Sequence, residues 1–248
     1  MRQDRGVLST ADLLDELQGA TRALFADVDG MTEHMAREPS LLPDWSRAHV
    51  LAHLARNAEG STRLLRSVLT GEDDQEYASV AAREREIGMT ARLPVAELRA
   101  LVAEHAAGLA RACVAMPPES WSRPVTWTTG HSTPAREVPR SRLIEVLVHH
   151  VDLALGYRPS DWPGDFVRRR LVSVTASLNR RGLAPGSFRL EATNTDQVVE
   201  LIAPAETVTV VRGEDHALLA WLLGRSNGTE LQTRGQAGLP KIPSTYTT

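Results

Sequence analysis

Glu145, His149 and Asp152 stand four and three residues apart in the stretch Arg142-Leu-Ile-Glu-Val-Leu-Val-His-His-Val-Asp-Leu-Ala-Leu-Gly-Tyr157. Ile144, Leu147, Val148, Val151 and Leu155 repeat at helical spacing, so the stretch reads as an amphipathic helix. At roughly 100° per residue, the three ionisable groups form a second stripe along one flank of the apolar face. Charge beside a core needs a partner, because burying it alone is costly. A half-solvated flank with an i,i+4 Glu–His pair meets that need, at a gain of a few tenths of a kcal/mol. A metal ion meets it differently: a carboxylate and an imidazole one turn apart can chelate one ion, as in the Glu-x-x-His motif of di-metal bundles. The spacing leaves both readings open. Asp152 is either an acceptor that orients the His149 imidazole or a surface carboxylate at the helix end, and the surface position is the expectation. His150 points away from the stripe and is expected at the surface.

A two-ligand helix needs a third ligand from elsewhere. Leu42-Pro-Asp-Trp-Ser-Arg-Ala-His-Val-Leu-Ala-His-Leu-Ala-Arg-Asn-Ala58 opens a second helix, with Ser46 as its N-cap. Val50, Leu54, Ala58, Leu65 and Val68 form its apolar face, and Arg56, Glu59, Arg63 and Arg66 its solvated side. His53 lies on the edge of the apolar face, with Asn57 one turn on and His49 one turn back. Either histidine can be an ordinary hydrogen-bonded structural residue. Taken together, His53, Glu145 and His149 make a His₂Glu set that suits zinc, or another divalent metal, with an open position for water or substrate.

These two stretches resemble the mycothiol-dependent maleylpyruvate isomerase family, part of the wider group of DinB-like metal-binding four-helix bundles. The carrying residues are Leu-Pro-Asp-Trp-Ser with His-Val-Leu-Ala-His-Leu-Ala-Arg-Asn-Ala-Glu, and Arg-Leu-Ile-Glu-Val-Leu-Val-His-His-Val-Asp-Leu. Ala217-Leu-Leu-Ala-Trp-Leu-Leu-Gly-Arg225 is similar to a segment of that family's second domain. The resemblance implies zinc on His53, Glu145 and His149, mycothiol as thiol cofactor, and Arg225 as the catalytic arginine that clamps a substrate carboxylate. It implies a reaction in which the thiol adds to the cis double bond of maleylpyruvate, the bond rotates, and elimination leaves fumarylpyruvate. The alternatives are another thiol transferase on the same scaffold, acting on a different electrophile, and a non-catalytic zinc-binding regulatory protein. Arg225 is otherwise a residue at a helix C-terminus, meeting the last carbonyls.

The bulk numbers narrow the field. The chain has 248 residues, enough for one large or two modest domains, and a net charge of −3. That charge makes no electrostatic case for nucleic acid or an anionic membrane. Lys241 is the only lysine, so nearly all positive charge is arginine. Cys113 is the only cysteine, which excludes an intrachain disulfide and a cysteine-based zinc site; it is expected to be a small buried residue. No signal peptide or ~20-residue apolar span is legible. The expectation is a cytoplasmic protein, monomer or homodimer, whose partners are mycothiol and a small electrophile.

The elements that must position these residues follow from periodicity. The expected architecture has two domains: a DinB-like four-helix bundle over 1–158 and a small α+β domain over 159–248. Ser9 caps a first helix that carries Leu13, Leu17, Leu24 and Val28 and runs to Gly30. A loop through Pro39 and Pro43 follows, then Trp45 and the His53 helix, which Gly71 ends. Glu72 to Arg92 reads as helical, with Tyr77, Val80 and Ile87 inward, and Val95 to Met116 as a further helix. Glu119 to Pro139 is irregular, with a short strand at Val125-Thr-Trp-Thr. This loop is either a surface connection or a pocket wall. Asn57, Trp127 and His131 are the candidates for contacting the thiol cofactor. The ligand helix is expected from Arg140 to Leu155, stopped by Gly156. Beyond Pro163, a helix over Phe166–Arg181 precedes strands at 188–192, 197–202 and 206–211. A helix from Gly213 and a last strand at 229–233 follow, and the tail beyond Gly235 is expected to be poorly ordered.

Overall fold

The structure is a computed structural model that describes residues 9–72, 74–204, 207–234, 239, 240 and 242. The chain divides into two compact units, Met1–Gly156 and Tyr157–Thr248. In the first unit, α1 (Thr10–Val28) starts where Ser9 Oγ accepts from the Asp12 amide. A short helix, α2 (Glu33–Arg37), follows in what reads as a loop from sequence. Thr32 caps it, which makes one turn stable without an apolar period. Next come α3 (Arg47–Thr70), α4 (Val80–Thr90) and α5 (Val95–Ala115). A two-stranded antiparallel hairpin of β1 (Pro124–Thr126) and β2 (Ser132–Pro134) leads into α6 (Glu137–Asp152).

The central element is α3. Val50, Leu51, Leu54, Leu64 and Leu65 are fully buried, as are the small residues Ala48, Ala52, Ala55 and Ala58 that let neighbouring backbones approach. It packs against both α5 and α6, while α1 packs against α6 and α5, so the four long helices close a ring. A reciprocal capping box starts α3: Ser46 Oγ accepts from the His49 amide, and His49 Nδ1 accepts from the Ser46 amide. Gly71, at φ +77°, ends it in the left-handed conformation.

Two boundaries differ from those expected, for identifiable reasons. The charged run from Glu72 becomes helical only at Val80, which is 52% exposed rather than inward. Upstream, Arg63 Nε donates to Gln75 O at 3.1 Å, and its Nη2 to Glu76 O, so these carbonyls are held by a side chain rather than by helix amides. Tyr77 and Ile87 are buried as expected. The ligand helix runs Glu137–Asp152 rather than Arg140–Leu155. Pro139 fits its first turn, where an amide would have no partner anyway. At the other end, Arg47 Nε donates to Leu153 O at 2.7 Å and so satisfies a terminal carbonyl. Ala154, at φ +52°, makes the turn that Gly156 was expected to make.

The second unit contains α7 (Gly164–Arg180), β3 (Ser187–Ala192), β4 (Val198–Leu201), β5 (Val208–Gly213), α8 (Asp215–Leu222) and β6 (Gln232–Arg234). The sheet order is β4-β3-β5-β6, with β3 and β5 parallel and the outer pairs antiparallel. Phe166, Leu171, Val174 and Leu178 of α7 are buried, as are Phe188, Leu190, Leu201 and Val211 of the sheet and Trp221 of α8. The last strand starts at Gln232 rather than Thr229, because a turn closed by Leu231 N donating to Gly228 O occupies the preceding residues. Most of the tail beyond Gly235 lies outside the described residues. No helix among the described residues is long and apolar enough to cross a membrane.

Gly60 of α3 tests the packing of the 75–77 segment. A Cβ there would lie 2.8 Å from Glu76 Cγ and 3.0 Å from Glu76 O. Gly60→Ala is therefore expected to destabilise by about 1–3 kcal/mol. Gly88→Ala, on α4 with nothing within 4 Å, should instead stabilise by about 0.5–1 kcal/mol. Urea denaturation of the two variants should show midpoints moving in opposite directions.

Candidate metal centre

His53 comes from the middle of α3, and Glu145 and His149 from consecutive turns of α6, which faces it. His53 Nε2 lies 2.7 Å from Glu145 Oε2, and His149 Nε2 lies 3.1 Å from the same oxygen. One potential ligand atom from each residue falls within 4.8 Å of the others, and this is the one such His/Cys/Asp/Glu cluster among the described residues. The two imidazoles meet edge to face, with ring centres 4.6 Å apart. Both histidines are buried, but Glu145 keeps 18% of its side chain exposed, so the cluster is not sealed on its side.

The surrounding groups set the protonation. Burial, aided by the neighbouring His149, pushes His53 down to about 4, so its imidazole is neutral near pH 7. Burial also opposes charge on Glu145, but hydrogen bonds from His149 and His53 outweigh it and hold the carboxyl well below the usual range. For His149, burial is again outweighed, here by hydrogen bonds to Asp152 and Glu145, which hold its pKa above the ordinary value. Arg83 Nη2 sits 3.2 Å from His53 Nδ1. A guanidinium only donates, so His53 Nδ1 accepts, and the ring proton sits on Nε2 facing Glu145.

The donor set fits a divalent metal. Two imidazole nitrogens and a carboxylate oxygen already converge, and a zinc site with three protein ligands leaves one position open. Asp152 Oδ2 lies 2.8 Å from His149 Nδ1 and so holds the proton on that nitrogen, directing Nε2 to the centre. A metal on His53 Nε2 would move that ring's proton to Nδ1. Arg83 would then have to leave it, and Glu84, already its ion-pair partner, is available.

Two expectations are corrected here. Asp152 is not a surface carboxylate: it is fully buried and bonded to His149. His150 is not a surface histidine: it is 1% exposed and its Nε2 lies 2.8 Å from Asp27 Oδ2 of α1, because α6 is covered on that side as well. His49 is used as a capping residue, its Nδ1 2.8 Å from Ser46 Oγ, and is not part of the cluster. Asn57 is buried, with its Oδ1 accepting from Arg142. Trp127 and His131 stack on each other across the β1–β2 turn, and Trp127 Nε1 donates to Thr133 Oγ1. Arg225 follows α8 in the second unit, where its Nη1 donates to Leu223 O at 2.8 Å.

Arg142, Tyr77 and Arg83 were missed from sequence. Arg142 had a legible signal: three residues before Glu145 and seven before His149, it shares their flank of the helix.

Two outcomes are expected. His53→Ala should abolish tight zinc binding while leaving the helical circular dichroism intact, and Asp152→Asn should weaken zinc about 10–100-fold. Because His149 is held protonated above the ordinary histidine range, a metal must displace that proton. Zinc affinity should therefore be highest above the raised His149 pKa and fall about tenfold for each pH unit below it. Competitive chelator titration from about pH 8 to about pH 5.5 measures both effects.

A sequence profile described as the mycothiol maleylpyruvate isomerase N-terminal domain matches residues 17–154. Two solved structures share the fold across nearly the whole chain: a mycothiol-dependent maleylpyruvate isomerase, and a mutant of that enzyme with one histidine replaced by alanine. Each has a TM-score of 0.89 and 26% identity, covering 96% of this chain and 97% of the other. Comparison with curated proteins finds no match. With more than half of its length inside that profile, this chain belongs to the mycothiol maleylpyruvate isomerase N-terminal domain family.

Proposed function

We propose that this protein is a mycothiol-dependent, metal-dependent cis–trans isomerase that converts maleylpyruvate to fumarylpyruvate. The observation that carries the reading is the convergence of His53, Glu145 and His149 on a partly open centre, in a chain that resembles such an isomerase over nearly its full length. On this reading the first unit is a DinB-like four-helix bundle covering residues 1–158, and residues 159–248 form its α+β companion.

His53, Glu145 and His149 would hold zinc, or another divalent metal, and Asp152 would keep His149 in the ligating tautomer. When bound, the metal supplies a Lewis acid that lowers the pKa of a coordinated thiol. Mycothiol supplies the thiol, which adds to the conjugated double bond, permits rotation about the resulting single bond, and leaves. Cys113 cannot substitute for it, since the residue is 3% exposed and burial pushes its thiol up to about 12. Arg225 is assigned to a substrate carboxylate, a role that suits a guanidinium fork. Asn57, Trp127 and His131 are assigned to the thiol cofactor.

The test pairs metal content with loss of maleylpyruvate absorbance, with and without mycothiol. One zinc per chain and strictly mycothiol-dependent conversion are expected. Zinc without conversion would sink the isomerase assignment and turn the search to thiol transfer onto another electrophile. Arg225→Ala should keep its zinc and lose at least about tenfold in kcat/KM. Unchanged turnover would remove Arg225 from the reaction.

A further inference from the structure

The two imidazoles of the cluster are prepared for a metal in opposite ways. Each turns Nε2 to Glu145 Oε2, at 2.7 Å for His53 and 3.1 Å for His149. They differ at the outer nitrogen. His149 Nδ1 meets Asp152 Oδ2 at 2.8 Å, an acceptor that holds the ring hydrogen there and turns a lone pair on Nε2 toward the centre. His53 Nδ1 meets Arg83 Nη2 at 3.2 Å, and a guanidinium has donors only.

An imidazole that ligates through Nε2 carries its hydrogen on Nδ1, where it needs an acceptor. His53 bonded to Arg83 has the reverse arrangement: its lone pair faces Arg83 and its hydrogen faces Glu145. The ring is neutral in both arrangements, and only the position of its one hydrogen differs. The Arg83 bond and a metal bond at Nε2 therefore exclude each other. The rings of Trp45 and His149 also flank His53, with centres 5.7 and 4.6 Å away. Neither supplies the missing acceptor, since an indole N–H only donates and both His149 nitrogens are engaged.

The contact is held from both ends of α4. At the start, Ser79 Oγ accepts from the Ala82 amide and Ser79 O from the Arg83 amide, both at 3.0 Å. At the end, Arg56 of α3, three residues after His53, donates from Nε to Thr90 Oγ1 at 2.8 Å. The Arg83 side chain itself can swing. It is 21% exposed, and its Nη1 already pairs with Glu84, which is 54% exposed. Leaving His53 would strand no buried charge.

We propose that Arg83 is a latch on the metal centre: it competes with the ion for His53, so the chain holds a divalent metal less tightly than its three ligands alone would. The latch presupposes the metal of the reading above, but not the reaction. Loading the ion breaks the bond and releases the guanidinium to Glu84 and solvent; losing the ion restores it. Metal occupancy is thereby coupled to the position of one side chain on α4.

Zinc affinity, measured by chelator competition at one fixed pH, is compared in the wild type, Arg83→Met, Arg83→Gln and Arg83→Lys. Arg83→Met removes the competing donor and should bind zinc about tenfold tighter. Arg83→Gln is equally uncharged, but its Oε1 can accept from Nδ1–H. It should bind tighter still, by part of the roughly 10–100-fold that such partners of ligating histidines contribute. Arg83→Lys keeps a charged donor and should stay near the wild type. Wild-type or weaker affinity in Arg83→Met overturns the latch. Equal gains in Arg83→Met and Arg83→Gln would reduce Arg83 to a repelling charge and overturn it as well. A readout on the unaltered protein is the long-range ¹⁵N spectrum of its imidazoles. His53 should carry its hydrogen on Nε2 before zinc and on Nδ1 after; a hydrogen on Nδ1 before zinc overturns the proposal. None of these measurements uses turnover, so a protein that fails to convert maleylpyruvate would leave the zinc result standing.

Discussion

A carboxylate held between two buried imidazoles is expensive, and much of the first unit is arranged around keeping Glu145 charged there. Its Oε2 receives both His53 and His149, at 2.7 and 3.1 Å. Those rings are themselves held: His149 by Asp152, and His53 by Arg83. A chain of polar contacts thus runs from Asp152 through His149 and Glu145 to His53 and Arg83. In a low-dielectric interior such a network is favourable only when each member is satisfied. Without a cation the charges nearly balance, with protonated His149 between two carboxylates. A divalent ion would replace that proton with a larger charge at the same place, which is why the site can be folded and still be receptive.

The helix packing is what makes this possible. α3 carries a run of fully buried alanines, so α5 and α6 pack closely against it and bury His53 and His149, while Glu145 keeps its partly open side. α6 is then buried on two sides, and adjacent histidines serve different neighbours: His149 faces α3, while His150 faces α1 and meets Asp27. One helix therefore carries two His–carboxylate pairs. Among the described residues only the first lies in a group able to bind an ion, because Glu145 and His53 join it. The same two helices continue the polar seam one turn further, to Asn57 and Arg142, where the interior holds positive rather than negative charge.

Much of this was legible in the amino-acid sequence. The i,i+4 spacing of Glu145 and His149, the edge position of His53, the Ser46 cap and the Gly71 stop are local properties, decided by helical period and backbone chemistry. The β-branched runs of the second unit and the inward faces of α1 and α7 are legible for the same reason. Each depends on residues within a turn or two of one another, and the composition agrees at every step.

The tertiary structure decided what depends on neighbours distant in the chain. Asp152 and His150 read as surface residues because each lies beside a helix end or off the main stripe, and only the burial of α6 on both sides reverses that. The burial of Arg142 is decided by α3, which supplies its acceptors 88 and 85 residues away. Tyr77 reads as part of a helix, but its segment is irregular, with Arg63 holding the Gln75 and Glu76 carbonyls and Gly60 leaving room for Glu76. The sequence by itself determined which residues could ligate a metal and on which helices they stand, because that is periodicity. It could not determine which charged groups are buried, or which buried donors are left unpaired, because those follow from the packing of one helix against another.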